Sequence, residues 1–320
     1  MFRPRSPRPS AIRLLVPATA VIALLVGCGS SAPPAGTSVD TTGSAAGEAV
    51  GGAVAVVATT NVYASVVSTI GGDKVTVSAI LDNPSADPHS FEAAPKDQVK
   101  IAHAQLVIAN GGGYDDFAQQ MIDAADPKPQ LIDAVQVSGL QKPTDTAFNE
   151  HVFYHSAAMA RLGSAIATTL GELDPTNAAT FSRNAKEFAG KLSELDRRTA
   201  AIKAAHPGVK AVVTEPVADY LLQQTGIADI TPSGFAEAIE SESDPAAKDI
   251  AEIDALLTDK SAGLLVYNEQ STGPVTDRVR ATAESAGVPV LAVTETLPAG
   301  TTDFLTWRTA TIGALEKALG

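Results

Sequence analysis

The residues of this chain best suited to chemistry are five histidines, at positions 89, 103, 151, 155 and 206, and two carboxylates that close apolar runs. His89 stands in ADPHSF, residues 86–91, directly after a proline that fixes φ and removes a backbone donor. An imidazole on such a stiffened turn suits a metal ligand, a catalytic base or an ordinary surface turn, and its neighbours leave all three open. His151 and His155 lie in NEHVFYHSAAM. Their i, i+4 spacing would put both rings on one face of a helix, a geometry that metals use. No HExxH accompanies them. Glu215 closes VKAVVTE and Glu295 closes VPVLAVTE, so two apolar runs each end on a carboxylate. The plain alternative for each is a helix cap or a loop acid.

Positions 89, 151, 215 and 295 are remote from one another in the chain. A site built from them must lie where separate parts of the fold meet, in a cleft of the kind that binds ligands. Two imidazoles and two carboxylates become electrically neutral once a divalent cation binds, which offsets the penalty of burying the carboxylates. A mixed nitrogen and oxygen set suits zinc or manganese. It is poor for copper(I), which prefers sulfur, and for calcium, which prefers oxygen alone. His103, within a helical pattern, and His206, at a helix end where positive charge suits the dipole, are assigned to no site. Asn110-Gly111-Gly112-Gly113 follows an apolar run and could cradle an anion. It lacks the lysine and hydroxyl of a P-loop, so a tight strand-to-helix turn is the simpler expectation.

The elements that must position these groups follow from periodicity. AVAVVAT, KVTVSAI, QLVIAN and PQLIDA are short apolar runs that alternate with helical segments. The same alternation restarts at VKAVVTE and continues through DIT, GLLVYN and VPVLAVTE. Between the two sets lie SAAMARLGSAIATTLGEL and a long helix opened by Asp174 and Pro175 and ended by His206-Pro207-Gly208, with Phe181, Ala185, Phe188, Leu192 and Leu195 on one stripe. The expected fold is α/β, with two lobes, each a mostly parallel sheet with flanking helices, joined by one long backbone helix. The expected divisions are 53–155 for the first lobe, 156–207 for the linking helices and 208–320 for the second lobe.

The N-terminus reads differently. Residues 1–13 carry arginines and no acid, and LLVPATAVIALLV is an apolar run short for a membrane span and suited to a signal peptide. Leu25-Val26-Gly27-Cys28 resembles a bacterial lipobox, with cleavage after residue 27 and lipid on Cys28, the single cysteine. Residues 28–52, rich in Gly, Ser, Ala and Thr, then read as a flexible tether. This places the protein on the extracytoplasmic face of the cell membrane, lipid-anchored. The formal net charge is −13, which speaks against nucleic acid as a partner. No disulfide can form within a chain that has one cysteine.

Taken together, the segments TTNVYASVVSTIGGDKVTV, SADPHSFEAAPKDQVKIAHAQLVIANGGGYDDF, NEHVFYH, ELDPTNAATFSRNAKEF, VVTEPVADYL and VPVLAVTETLP resemble, in order, the metal-binding lipoproteins of bacterial ABC importers for zinc and manganese, the cluster A-I solute-binding family. The resemblance implies a binding protein, without catalysis, that captures a divalent metal and docks as a monomer on a membrane permease. It carries the ligands onto His89, His151, Glu215 and Glu295. The last is aspartate in most relatives, so Asn268 and Glu269, at the end of GLLVYNEQ, are the substitutes to weigh. Residues 138–150 contain no histidine, so the His-rich loop of many zinc-devoted relatives is absent. Affinity is expected to fall below about pH 6 as imidazoles protonate. The rival readings are a secreted metal-dependent hydrolase using the same ligands, a binder of a metal chelate or cobalamin, and a surface adhesin as an added role.

Overall fold

A computed structural model describes residues 52–84, 88, 91–142 and 148–320. His89 and Cys28, together with the signal-peptide and tether segments up to residue 51, lie outside the described residues.

The first half of the chain runs β1 (Val54–Thr60), α1 (Asn61–Gly71), β2 (Val75–Leu81), α2 (Pro95–His103), β3 (Leu106–Ala109), α3 (Asp116–Asp123), β4 (Gln130–Asp133) and α4 (Ala134–Ser138). Two long helices follow, α5 (Ser156–Leu173) and α6 (Ala178–Ala205). The second half runs β5 (Lys210–Val213), α7 (Asp219–Thr225), β6 (Ala228–Asp229), α8 (Ser233–Glu240), α9 (Ala247–Thr258), β7 (Leu264–Asn268), α10 (Pro274–Ala286), β8 (Val290–Val293) and α11 (Phe304–Leu319).

The strands form two all-parallel sheets with matching topology, ordered β2-β1-β3-β4 and β6-β5-β7-β8. Parallel strands covered on both faces need apolar side chains in both directions, which explains their unbroken hydrophobic runs. Val56, Ala58, Leu106 and Ile108 point into one large core, whereas Val57 and Val107 between them face Ile101 of α2 and Met121 and Ile122 of α3. The second sheet divides likewise: Val213 and Val266 join the large core, and Val212 and Leu265 pack with Ile253 and Leu257 of α9. The large core therefore runs through both halves. At its centre the Trp307 ring meets those of Phe153, Tyr154 and Phe304.

Helix α6 is the strut between the halves. Its 28 residues span about 42 Å. The buried stripe Phe181, Ala185, Phe188, Leu192 and Leu195 packs α6 on α1 and α5 toward one end and on α7 and α11 toward the other. Asn184 Nδ2 donates to the Ile70 carbonyl at the end of α1, and Arg198 makes a two-pronged contact with Glu316 of α11 at 3.0 and 2.7 Å. A helix pinned at both ends resists large hinge motion.

Two details differ from the sequence expectation. Asp174 and Pro175 open a single 3₁₀ turn, Pro175–Asn177, and the α-helix begins only at Ala178. Helices α4 and α8 are additional; each is short, and of α8 only Phe235 is fully buried, so their periodicity is faint in the sequence.

Candidate metal centre

Ligand sites in open parallel sheets lie beyond the strand C-termini, at the point where strand order reverses. Here that point falls at β5 and β7 in the second sheet and β1 and β3 in the first. Glu215 stands two residues past β5, where Pro216 turns the chain into a 3₁₀ turn, Pro216–Ala218. Asn268 is the last residue of β7, and Glu295 stands two residues past β8. From the first half, Asn110 follows β3 and its Nδ2 donates to the Glu150 carbonyl, fixing the backbone next to His151. Asn110 also accepts from the buried Tyr63 hydroxyl. Gly111, Gly112 and Gly113 all have positive φ, and the Asp115 carboxylate accepts from the amides of Asn110 and Gly111 at 2.7 and 2.9 Å. That loop is thus a turn closed by the chain's own acid, not an anion cradle.

The imidazole and the carboxylates meet in a buried space. His151 Nε2 lies 3.4 Å from Glu295 Oε2, with side-chain exposures of 1 % and 2 %. Asn268 Nδ2 donates both to Glu215 Oε2 at 2.5 Å and to Glu295 Oε1 at 2.9 Å, so one amide holds the two carboxylates side by side. Asn149 Oδ1 accepts from the His151 amide and from its ring Nδ1, each at 2.9 Å, which leaves Nε2 to face Glu295. Asn149 Nδ2 donates to the Pro216 carbonyl beside Glu215, and its own carbonyl accepts from the Tyr220 hydroxyl. Gln270 Oε1 accepts from the amides of Glu295 and Thr296, while its Nε2 donates to the Pro84 carbonyl on the segment that leads toward His89. Tyr114 and Phe153 wall the imidazole edge-on at 5.8 and 5.7 Å.

Burial and charge oppose each other here. Burial alone pulls the His151 imidazole down, but Glu295, aided by Glu150 and Glu240, outweighs it and raises the pKa to about 9. Burial raises Glu215 to about 7, against the Asn268 hydrogen bond and with help from the Glu295 charge. A doubly charged cation would relieve both perturbations. The donor set, an imidazole nitrogen and carboxylate oxygens without sulfur, fits zinc or manganese.

Of the residues singled out in the sequence, His151, Glu215 and Glu295 are brought together. Asn268 is the donor between the two carboxylates. Glu269 is exposed, its amide bonded to the Val293 carbonyl. The expected helical pairing of His151 with His155 is corrected. His151 precedes a 3₁₀ turn, Val152–Tyr154, and His155 caps α5, its Nδ1 accepting from the Ala158 amide at 3.2 Å. The two rings therefore share no helix face. His103 is exposed, its ring against the Val99 carbonyl, and His206 caps α6. Sequence reasoning did not find Asn149, Gln270, Glu150 or Glu240. Among the described residues, the three whose donor atoms all lie within 4.8 Å of one another are Glu150, His151 and Glu240.

Two parallel sheets braced by one long helix thus hold an imidazole and two carboxylates buried beyond their strand ends. The chain belongs to the family described as zinc-uptake complex component A, periplasmic (ZnuA), whose sequence profile matches residues 56–318. It is 27% identical over 168 residues to the metal ABC transporter substrate-binding lipoprotein ScbA of Streptococcus cristatus, covering 49% of this chain and 54% of that one. The match therefore spans about half of that relative's length. It is 25% identical over 248 residues to the iron ABC transporter substrate-binding lipoprotein MtsA of Streptococcus pyogenes, covering 73% and 77%. The fold is that of the periplasmic zinc-binding protein TroA from Treponema pallidum, with a TM-score of 0.71 at 19% identity over 84% of this chain and 100% of that one.

Proposed function

We propose that this protein is the extracytoplasmic binding component of an ABC importer, that it captures a divalent transition metal, zinc or manganese, and that it hands the ion to a membrane permease. His89, His151, Glu215 and Glu295 are the ligands in this reading, and Cys28 carries the lipid anchor. The observation that carries it is the buried contact of His151 Nε2 with Glu295 Oε2, beside Glu215 held by the same Asn268 amide. Such a group is expensive to bury without a cation and nearly neutral with one. Membership of the ZnuA family and likeness to lipoproteins of metal importers support the partner and the location. The protein binds and releases, and performs no bond chemistry on its cargo.

The test is metal content and calorimetry. Native protein purified without added metal should carry close to one zinc or manganese per chain. His151→Ala and Glu295→Ala should each weaken binding at least about 100-fold. Unchanged affinity in both variants would refute the site.

A further inference from the structure

Glu150 and Glu240 take no part in the ligand set above. Glu150 directly precedes His151, and Glu240 is the last residue of α8 on the opposite lobe. One donor atom from each, with one from His151, lie mutually within 4.8 Å. Ligands bonded to one ion at about 2.0–2.2 Å stand roughly 3–4 Å apart, so small side-chain rotations bring these three onto a common cation. Both glutamates are half-buried, whereas His151 is buried. Glu240 Oε1 is shielded from solvent and has no hydrogen-bond partner among the described residues, which is an unfavourable place for a carboxylate oxygen unless something cationic joins it.

His151 thus stands between two pairs of carboxylates. The inner pair, Glu215 and Glu295, is buried and tied to Asn268. The outer pair, Glu150 and Glu240, is nearer solvent. Ring Nδ1 is engaged by Asn149 Oδ1, so Nε2 is the nitrogen offered to a metal. One nitrogen holds one ion. The two carboxylate pairs are therefore alternative positions for a single cation, not two sites filled together.

We propose that Glu150, His151 and Glu240 form an outer cation position, occupied by a divalent transition metal as it passes between solvent and the buried site. The proposal rests on the metal-binding reading of His151, Glu215 and Glu295. An ion held there sheds part of its hydration onto two carboxylates while already bonded to the imidazole. Moving inward then exchanges one carboxylate pair for the other without letting go of His151. Release runs the same path in reverse, so the outer position governs rates in both directions and leaves the final affinity nearly unchanged.

The experiment is stopped-flow kinetics of zinc uptake by the full chain, and of zinc loss to a chelator, for the wild type, E150Q, E240Q, the double variant and a control, E269Q. Glu269 is an exposed acid that directly follows Asn268 in the chain, and its neutralisation measures general charge steering alone. The double variant should lower both rates by about tenfold or more, with Kd within about threefold of wild type, while E269Q changes the on-rate less than about twofold. Thermal melts within a few degrees of wild type establish that the variants fold. Equal slowing by E269Q, unchanged rates in the double variant, or a weaker Kd arising from faster release would each overturn the outer position. If the double variant is unaffected but His151→Ala abolishes binding, the outer position falls and the proposed function stands. A wild type that binds neither zinc nor manganese overturns both.

Discussion

His151 Nε2 lies 3.4 Å from Glu295 Oε2, and the pair is all but sealed from solvent. A carboxylate so close stabilises imidazolium, and the His151 pKa is raised to about 9 in spite of burial. Without metal the pair shares a proton at neutral pH, in the place a cation would take.

Metal uptake should expel that proton. Below about pH 9 the imidazole must lose it before Nε2 can bind, and Glu215 is half-protonated near pH 7, so uptake should release about one and a half protons per ion at pH 7 and about one at pH 8. Calorimetry in buffers of different ionisation enthalpy reads this directly. Affinity should keep rising by up to about tenfold per pH unit beyond pH 7. This places the steep range above the window near pH 6 that an unperturbed histidine gives. A flat affinity from pH 7 to 8.5 would exclude the shared proton.

The stability of the metal-free protein should move the opposite way. Glu215 titrates at its ordinary 4.5 when unfolded and near 7 when folded, because burial disfavours its charge. Its protonated form therefore stabilises the fold fully below about pH 4.5, and that contribution is lost as pH rises through 7. His151, raised from 6.5 to about 9, contributes stability that is present below 6.5 and lost on passing 9. Melting of the metal-free protein should fall between pH 5 and 9, with Glu215 alone contributing a loss on the order of 3 kcal/mol. Saturating zinc should flatten the fall. Glu215→Gln should raise the melting temperature of the metal-free protein at pH 7.5 while weakening metal binding.

Asn268 offers one amide to both carboxylates. Asn268→Ala leaves two buried carboxylates without that donor and should destabilise the metal-free protein by about 1–3 kcal/mol. The loss should shrink in the metal-loaded protein, where the cation takes over. Paired thermal melts with and without zinc measure the difference.

How much of this was legible in the sequence depends on the range of the interaction. The sheets were readable because a parallel strand buried on both faces is a continuous apolar run, as in LVIA and LLVYN. Glu215 and Glu295 were readable because each follows such a run by two residues and so projects at a strand's C-terminal end. The companions of the site were not. Asn149 and Gln270 act through contacts 67 and 186 residues away, with the carbonyls of Pro216 and Pro84, and nothing local marks them. Glu240 ends a helix whose pattern is too short to read, so the element carrying it was not expected. The His151–His155 spacing misled because a 3₁₀ turn, not an α-helix, joins them.

Asn149 should be a positioning residue. Its Oδ1 fixes which nitrogen of His151 faces Glu295, and its Nδ2 holds the Pro216 carbonyl on the other lobe. Asn149→Ala should weaken metal binding by about 10- to 100-fold. The half-buried side chain should matter less to folding, with a loss near 1 kcal/mol. Calorimetry beside a denaturant titration separates the two effects, and equal losses in affinity and stability would reduce Asn149 to a structural contact.

Tyr154 joins the two halves behind the site. Its hydroxyl donates to the Thr294 carbonyl at 2.9 Å, one residue before Glu295, while its ring follows His151 by three residues. The buried Arg308 guanidinium lies 4.3 Å from the ring centroid, and its Nη2 donates to the Tyr154 carbonyl at 3.1 Å. This clamp fixes the spacing of His151 from Glu295. Tyr154→Phe keeps the ring and deletes the buried bond, so stability should fall by about 1–2 kcal/mol. Metal affinity should fall by about three- to tenfold as the His151 and Glu295 side chains lose registry. Coupling provides the sharper measurement. If the clamp acts through the His151–Glu295 spacing, Tyr154→Phe should weaken binding in the wild type and have little further effect once Glu295→Ala has removed one end. An equal effect in both backgrounds would mean that Tyr154 serves only the core.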